Sequence, residues 1–541
     1  LTSGGAPGGD QPGADADAED IAEDIAEGLD ELPPPLDAPG GVGKSPRTKA
    51  CVGNPPRQTE DPLSPPCVAD FSGDNGGKTY QGVSAEEVKV LIYLQGFTRN
   101  TNSCRDPNQE TPDNEYFDLA QPPEAGEHCY IYALRVWQQY FNERFQSYGR
   151  FVHFYAYVSG QGATAEERKA DAADNYAEIK PFAVISLASG FADAYLETMA
   201  KRGVLAFEST FGRKAEFFQK NAPRIWNYQP SLEQYGDNFI GMLCTKVAGK
   251  PVAVTGNPQQ LGQPRKYGLI YTADAGFPEN RELKDYVKAG VAKCGIEFSA
   301  QATYPGNGFV QDNRYPPTYA QTQMADFQSK GITTIIWPGG LETNFSKSGA
   351  QIGYRPEVIL LGDLLNEADV SGTFQDSSFW ANTTVMTTVT FVADERRKYC
   401  FLAYREGDPN ADDTDARVSG CQIYDQLRQL FTGIQVAGPR LTPESMDKGF
   451  HAIPKIRSTD PQVPACFYEP SDYTCIKDAI LERWDPAGDD GCYRALEGGL
   501  RYTATTWNKT NIDAEYSSAT APCNDYDSTF VINPNPPDAG I

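Results

Sequence analysis

The sequence predicts an α/β fold of two lobes, each a doubly wound parallel sheet covered by helices. Three observations predict it. Short apolar runs alternate with helical patterns from residue 80 onward, the alternation restarts after residue 231, and Ser/Thr/Gly-rich turns sit at the strand–helix junctions. A chain of 541 residues is also too long for one ordinary domain.

The elements of the first lobe follow in order. "VKVLIYL" (88–94) reads as a buried strand, and a loop holding Cys104 and Cys129, closed on itself, comes next. "YIYALRVWQQYFNERFQSYG" (130–149) carries the apolar stripe of a long helix, and "RFVHFYAYVS" (150–159) is a strand. Helices over 164–179 and 190–203 then alternate with strands over 181–188 and 204–209, which means right-handed crossovers and a parallel sheet. The second lobe repeats the pattern. Helices read over 231–249, 279–295 and 318–330, and strands over 266–274, 296–305, 333–339 and 357–363. Later helices read at 414–435 and 442–453, the second opened by Thr442 as cap, Pro443 at the first position and Glu444 in the first turn. Residues 455–541, rich in Cys, Tyr, Asp and Pro, read as irregular structure pinned by disulfides.

Composition narrows the function classes. The formal net charge of −26 argues against nucleic acid as a partner, because phosphates require Lys/Arg stripes. No apolar run reaches the roughly 18–20 residues that span a bilayer. The twelve cysteines are Cys51, Cys67, Cys104, Cys129, Cys244, Cys294, Cys400, Cys421, Cys466, Cys475, Cys492 and Cys523. None has CxxC spacing and there are only three histidines, so six disulfides in an oxidising compartment are expected rather than a metal centre. Pairing of sequence neighbours is the simplest connectivity. Residues 1–79 read as an acidic Pro/Gly-rich tether in which Cys51 and Cys67 staple a loop. Ile21, Ile25, Leu29 and Leu32 give the tether one short helical stretch, read as a transient helix in preference to a docking one. Gly43-Lys44-Ser45 imitates the end of a phosphate loop, but the leading glycine and the flanking strand and helix are missing. The start at Leu1 is read as a removed leader.

In parallel sheets ligands bind beyond the carboxyl ends of the strands. The first lobe offers "YLQGFTRN" (93–100, with Gln95 and Phe97), "LASGFAD" (187–193) and "ESTFGRK" (208–214). These are rich in Ser, Thr and Gly, with helix amino ends behind them that favour a carboxylate. The second lobe offers Asp274, Glu279, Glu342, Asp363 and Glu367, any of which suits an ammonium or amide. Catalysis finds no support. Leu187-Ala188-Ser189-Gly190-Phe191 lacks the first glycine of a nucleophile elbow, and His128, His153 and His451 all read as structural. No cofactor fingerprint is present.

From "GVSAEEVKVLIYLQG" (82–96) onward the sequence resembles the type I solute-binding proteins of ABC importers, the leucine/isoleucine/valine-binding family. "YFNERFQSYGRFVHF" (140–154), "FAVISLASGFADAYLETMAKRGVLAFEST" (182–210), "IWNYQPSLEQYG" (225–236) and "YGLIYTADAGFPENRELKDYVKAG" (267–290) follow the family's order. The resemblance runs from about 82 to 450. It implies two lobes joined by three crossovers: lobe one over 80–235 and 390–455, lobe two over 236–389, and a Cys-rich extension over 456–541. It further implies a non-enzymatic, extracytoplasmic protein that closes on a small polar organic ligand. The ligand's carboxylate is placed against Ser189, Gly190 and Phe191 and against Ser209, Thr210 and Phe211, with Phe277 covering it and Asp363 or Glu367 taking an ammonium. ABC permease subunits are the implied partners, and membrane attachment is expected only through an anchor before Leu1. A sensor, or a structural protein able to self-assemble, is the alternative on the same fold. The turn "ASGFAD" holds less Ser/Thr than an amino-acid binder's, which leaves an aromatic acid or an amide equally open.

Overall fold

Two parallel sheets of the same strand order organise the chain. The computed structural model describes residues 51–52, 56–95, 113–124, 126–160, 164–187, 192–272, 278–304, 317–339, 342–362, 372, 374–388, 399–411, 423–455, 464–487 and 492–495. The chain opens with β1 (Cys51–Val52), β2 (Arg57–Gln58), β3 (Glu87–Gln95), β4 (Glu115–Asp118), α1 (Cys129–Arg144), β5 (Phe151–Ser159), α2 (Ala165–Ile179) and β6 (Ala183–Leu187). It continues through α3 (Ala192–Ala200), β7 (Leu205–Glu208), α4 (Ala215–Lys220) and β8 (Ile225–Asn227). In lobe one the order is β4-β5-β3-β6-β7-β8, all parallel except the antiparallel edge strand β4. The middle of β3 is apolar without alternation because helices cover both faces of the sheet.

Lobe two begins with α5 (Leu232–Met242), which ends in a π-helical turn over Leu243–Val247. Then come β9 (Tyr267–Thr272), α6 (Pro278–Ala292), β10 (Phe298–Tyr304), α7 (Pro317–Ser329), β11 (Thr334–Pro338), α8 (Asn344–Gln351), β12 (Glu357–Leu361), α9 (Ser377–Trp380) and β13 (Thr383–Thr387). The chain returns to lobe one for α10 (Tyr399–Gly407), α11 (Tyr424–Ala437) and α12 (Pro443–Ala452), whose apolar faces join the lobe-one core. It crosses a third time to give β14 (Ile480–Asp485) and β15 (Cys492–Ala495). The second sheet runs β10-β9-β11-β12-β13-β14-β15, with the last two strands antiparallel. Numbering only the parallel strands, both lobes read 2-1-3-4-5, and the chain passes between them three times.

Local chemistry explains where the helices start. Thr164 and Glu167 form a capping box at α2, and Ser231 and Gln234 do the same at α5. Thr442 caps α12 with Pro443 behind it, as its sequence predicts, and Ser445 completes the box. The Cys244–Cys294 disulfide ties the end of α5 to the turn after α6, Cys51 pairs with Cys67 and Cys466 with Cys475. Cys129 and Cys400 are disulfide-bonded too, while Cys104, Cys421 and Cys523 lie outside the described residues.

Four expectations change. The loop after β3 carries the edge strand β4, because its Tyr116 and Phe117 pair with Tyr157 and Ala156 of β5. The predicted helix over 414–435 is the later α11, and residues 412–422 lie outside the described part. The stretch after 455 is not wholly irregular, since β14 and β15 extend the lobe-two sheet. The end of the tether is also no tether. Residues 56–68 are folded onto lobe one, with Asp61, Ser64 and Cys67 buried. The Asp61 carboxylate lies 2.9 Å from Arg428 of α11, and Gln58 accepts from Gln435 at 2.6 Å. The helical stretch at 21–32 and Gly43-Lys44-Ser45 lie outside the described residues.

Arg428 is almost wholly buried, paired with Asp61 and, at 3.0 Å, with Asp425. Removing one partner of a buried pair strands a charge and costs roughly 3–5 kcal/mol, whereas replacing both by apolar groups is nearly neutral. Asp61→Ala leaves Arg428 with the part-exposed Asp425 and is expected to lose roughly 3 kcal/mol in denaturant unfolding. Asp61→Ala with Arg428→Met, which leaves Asp425 to solvent, is expected to regain part of it.

Candidate functional site

The lip of lobe one is built at the end of β7. Glu208 is buried there and pairs with Arg213, Nε to Oε1 at 2.8 Å. Arg213 also pairs with Asp193 at the start of α3 and lies over the Phe217 ring. The Thr210 hydroxyl donates to the second Glu208 oxygen at 3.0 Å. Gly212, at φ +83°, supplies the left-handed backbone that turns the chain toward α4. The turn that carries Ser209, Thr210 and Phe211 is thereby fixed by charge on one side and by conformation on the other.

Asn227, the last residue of β8, holds the same turn from beneath. Its side-chain oxygen accepts from the Thr210 N–H at 3.0 Å, and its amide donates to the Thr210 carbonyl at 2.7 Å. Its backbone N–H donates to Tyr473 and its carbonyl accepts from Cys475, so the first and third crossovers run side by side as a parallel ladder. Gln234 reinforces them, donating to Asp472 at 2.9 Å and accepting from the Thr474 hydroxyl at 2.8 Å. Around them Trp226, Phe450, His451, Tyr468 and Tyr473 pack ring against ring.

Contacts across the lobes show that the two carboxyl edges meet. Phe211 packs on Tyr235 of α5 with ring centroids 5.3 Å apart. The Tyr235 hydroxyl donates at 2.7 Å to the carbonyl of Gly362, the residue before Asp363. Lys214 pairs at 2.9 Å with Glu282 of α6, the helix that follows the Phe277 loop, and this hydrogen bond raises the lysine pKa. Both groups are nearly half exposed, so the pair reports geometry more than it adds stability.

Ser209, Thr210 and Phe211 directly follow β7, and each is engaged within the protein. Gln95 closes β3. Phe97, Ser189, Gly190, Phe191, Phe277, Asp363 and Glu367 lie outside the described residues. The strands that lead into them are placed. In a 2-1-3-4-5 sheet the order reverses between the first and third strands, β3 and β6 in lobe one and β9 and β11 in lobe two. Gln95, the last residue of β3, stands at the first of these switch points. Glu342 is spent on capping, accepting from the Asn344 and Phe345 N–H groups at 2.7 and 2.8 Å.

Two features escaped sequence reasoning. Tyr304, Trp337 and Phe345 form a buried aromatic cluster under the lobe-two loops, with the indole donating to the Tyr304 hydroxyl at 3.1 Å. The aromatic residues were visible, but their convergence depends on the pairing of β10 through β9 to β11. A groove of about 670 Å³ lies on lobe one, lined in part by Glu86, Gln121, Arg135, Glu143 and Phe151. It borders the amino end of β5, opposite the switch points, and is not the cleft. The histidines are structural. His128 caps α1, His153 lies between Glu87 and Asp118 at 2.5 and 2.6 Å, and His451 bonds the Asp447 carbonyl at 2.9 Å. Among the described residues no group of three His, Cys, Asp or Glu is arranged to hold a metal, and no helix is long and apolar enough to cross a membrane.

No family model matches the sequence, and no curated protein matches it either. Solved structures do match. A substrate-binding protein of an ABC transporter from Aeropyrum pernix superposes with a TM-score of 0.53 at 11% identity, over 77% of this chain and 96% of that one. A solute-binding protein from R. palustris, in complex with 4-hydroxybenzoate, gives 0.52 at 14% identity over 77% and 97%. A branched-chain amino acid ABC transporter periplasmic ligand-binding protein from Burkholderia xenovorans LB400 gives 0.52 at 11% over 78% and 96%. The chain has the fold of the type I solute-binding proteins. At this identity the solute-binding fold is what the likeness establishes, and the covered share includes nearly all of each matched protein.

Two measurements follow from this geometry. Asn227→Ala leaves the Thr210 N–H and carbonyl without partners, each worth about 1–3 kcal/mol when buried. Thermal unfolding is expected to fall accordingly, and hydrogen exchange at Thr210 to accelerate. His451 has its pKa raised by the Asp447 hydrogen bond, against the opposing effect of burial. Its contribution is thus full below the unfolded value of about 6.5 and fades as pH rises through the higher folded value. His451→Gln is expected to destabilise at pH 6 and to differ little from wild type at pH 9.

Proposed function

We propose that the protein is an extracytoplasmic solute-binding protein that captures a small polar organic ligand between its lobes and delivers it to an ABC importer. The observation that carries this reading is the contact between the two carboxyl edges, Phe211 on Tyr235 and Lys214 with Glu282, which supports a ligand site shared by both lobes. Ligand contacts from both lobes would favour the closed arrangement, so binding and closure are one equilibrium. The Ser/Gly turn at Ser189 to Phe191, together with Ser209 and Thr210, is the proposed seat of a carboxylate. Phe277 is proposed as the cover, and Asp363 or Glu367 as the partner of an ammonium or amide. The sequence supplies Phe191 and Phe277 for the proposed site, and the 4-hydroxybenzoate bound by the R. palustris protein supports including aromatic acids among candidates. An amino acid, an amide or a small carboxylic acid is the proposed ligand class. The disulfides support an oxidising location.

The test is a thermal-shift screen of the full chain against amino acids, amides and hydroxybenzoates, followed by small-angle scattering. A ligand at about 100 times its dissociation constant stabilises by about 2.7 kcal/mol, which is readily seen. The expected outcome is a stabilising compound that also reduces the radius of gyration. Stabilisation by none of the panel, with no compaction, would remove the transport reading.

A further inference from the structure

The side chain of Gln229 joins two of the crossovers to the lip of the cleft. It lies in the first crossover, two residues after β8, and is almost wholly buried. The Thr388 hydroxyl, at the start of the second crossover, donates to its carbonyl oxygen at 2.7 Å. Its amide nitrogen donates to the Ser209 hydroxyl oxygen at 3.3 Å. Thr388 is fully buried, and Ser209, at the carboxyl end of β7, is partly exposed. The three groups thus form one directed chain, from Thr388 through Gln229 to Ser209. Among the described residues Ser209 accepts from Gln229 and donates to none, which leaves its hydroxyl proton available to a further acceptor.

The positions of the two ends give this chain a role. The first and third crossovers share main-chain bonds at Asn227 and Tyr228. Thr388 directly follows β13 of lobe two and Ser209 directly follows β7 of lobe one, so Gln229, in the first crossover, ties the two carboxyl edges together. A rotation of one lobe against the other changes the separation of those two ends, and Gln229 bonds both.

We propose that Gln229 is a positioning residue that couples the hinge to the cleft, so that the Thr388–Gln229–Ser209 chain sets the balance between open and closed arrangements. The proposal deepens the solute-binding reading and rests on it for its biological use. A group accepting from Ser209, such as a carboxylate oxygen, would polarise every bond of the chain in the same sense and strengthen the tie between Thr388 and Ser209.

The deciding experiment needs no ligand, so a chain that binds nothing in the screen can still pass or fail it. Spin labels on non-native side chains are placed at exposed positions of α2 in lobe one and α7 in lobe two, leaving the cysteines paired. Interlobe distance distributions are then measured for wild type, Ser209→Ala, Thr388→Val and the double variant, and again for all four with Gln229→Leu. Ser209 and Thr388 meet only through Gln229 in this chain. Each single variant is expected to shift the open-to-closed ratio about threefold to tenfold, the size of one net hydrogen bond. The double variant is expected to shift it no further than the larger single, and with Gln229→Leu neither change should add anything. Thr388→Ser, which keeps the donor, is expected to match wild type and controls for folding. Additive shifts, or distributions that do not respond to Thr388→Val while the fold is intact by circular dichroism, would overturn the proposal.

Discussion

The buried side chain of Asn227 is the constraint on which the arrangement of the two lobes depends. Its amide closes two bonds with the Thr210 backbone, and its own backbone binds Tyr473 and Cys475 of the third crossover. One residue therefore fixes the lip of lobe one to two of the three chain crossings. Each of these groups would otherwise be a buried polar atom without a partner, and such atoms are costly. The asparagine amide holds a separate donor and acceptor side by side, so it can bond the Thr210 N–H and carbonyl at once, as a single hydroxyl on this side chain could not.

From that point stiffness is distributed unequally. Lobe one is bound together by sheet pairing, by the strap at residues 56–68 and by the buried Arg428 cluster. Lobe two is bound by its seven-stranded sheet and by the Cys244–Cys294 disulfide. Among the described residues they are linked by the paired first and third crossovers, by the Thr388–Gln229 bond and by contacts such as Phe211 on Tyr235. The Cys466–Cys475 disulfide adds to the crossover pairing, because Cys475 is itself bonded to Asn227. Two lobes joined by chain crossings are the arrangement that hinge closure uses. The half-exposed Lys214–Glu282 pair also bridges the lobes, at little energetic gain.

Much of the fold was legible in the sequence. Short apolar runs such as 88–94 and 357–363 could be read as strands because both faces of a parallel strand are buried. Capping residues such as Thr442 marked helix starts because they act on backbone groups three residues away. The edge strand β4, the short strand β8, the strand β13 and the pair β14–β15 were not legible as strands. β4 and β14–β15 are stabilised by partners far away in the chain, Tyr116 by Tyr157 and Arg483 by Thr384, and β8 and β13 are brief. The segment 56–68 looked like linker because Pro and Asp dominate it. Its burial depends on Arg428 and Gln435, more than 350 positions later.

The candidate site divides in the same way. A location for it could be proposed from the sequence, since strand ends and Ser/Gly turns are local features and the carboxyl edge of a parallel sheet is where helix amino ends gather. What the described residues bond there was decided by tertiary structure. Glu342 reads as a possible ligand partner until it is found capping α8, and Ser209 reads as a carboxylate contact alone until Gln229 is found bonded to it. Gln229 and Thr388 stand 159 positions apart and carry no motif, so nothing along the chain could pair them. A sequence specifies the groups that seek hydrogen bonds, and only the folded chain brings the distant ones within reach of each other.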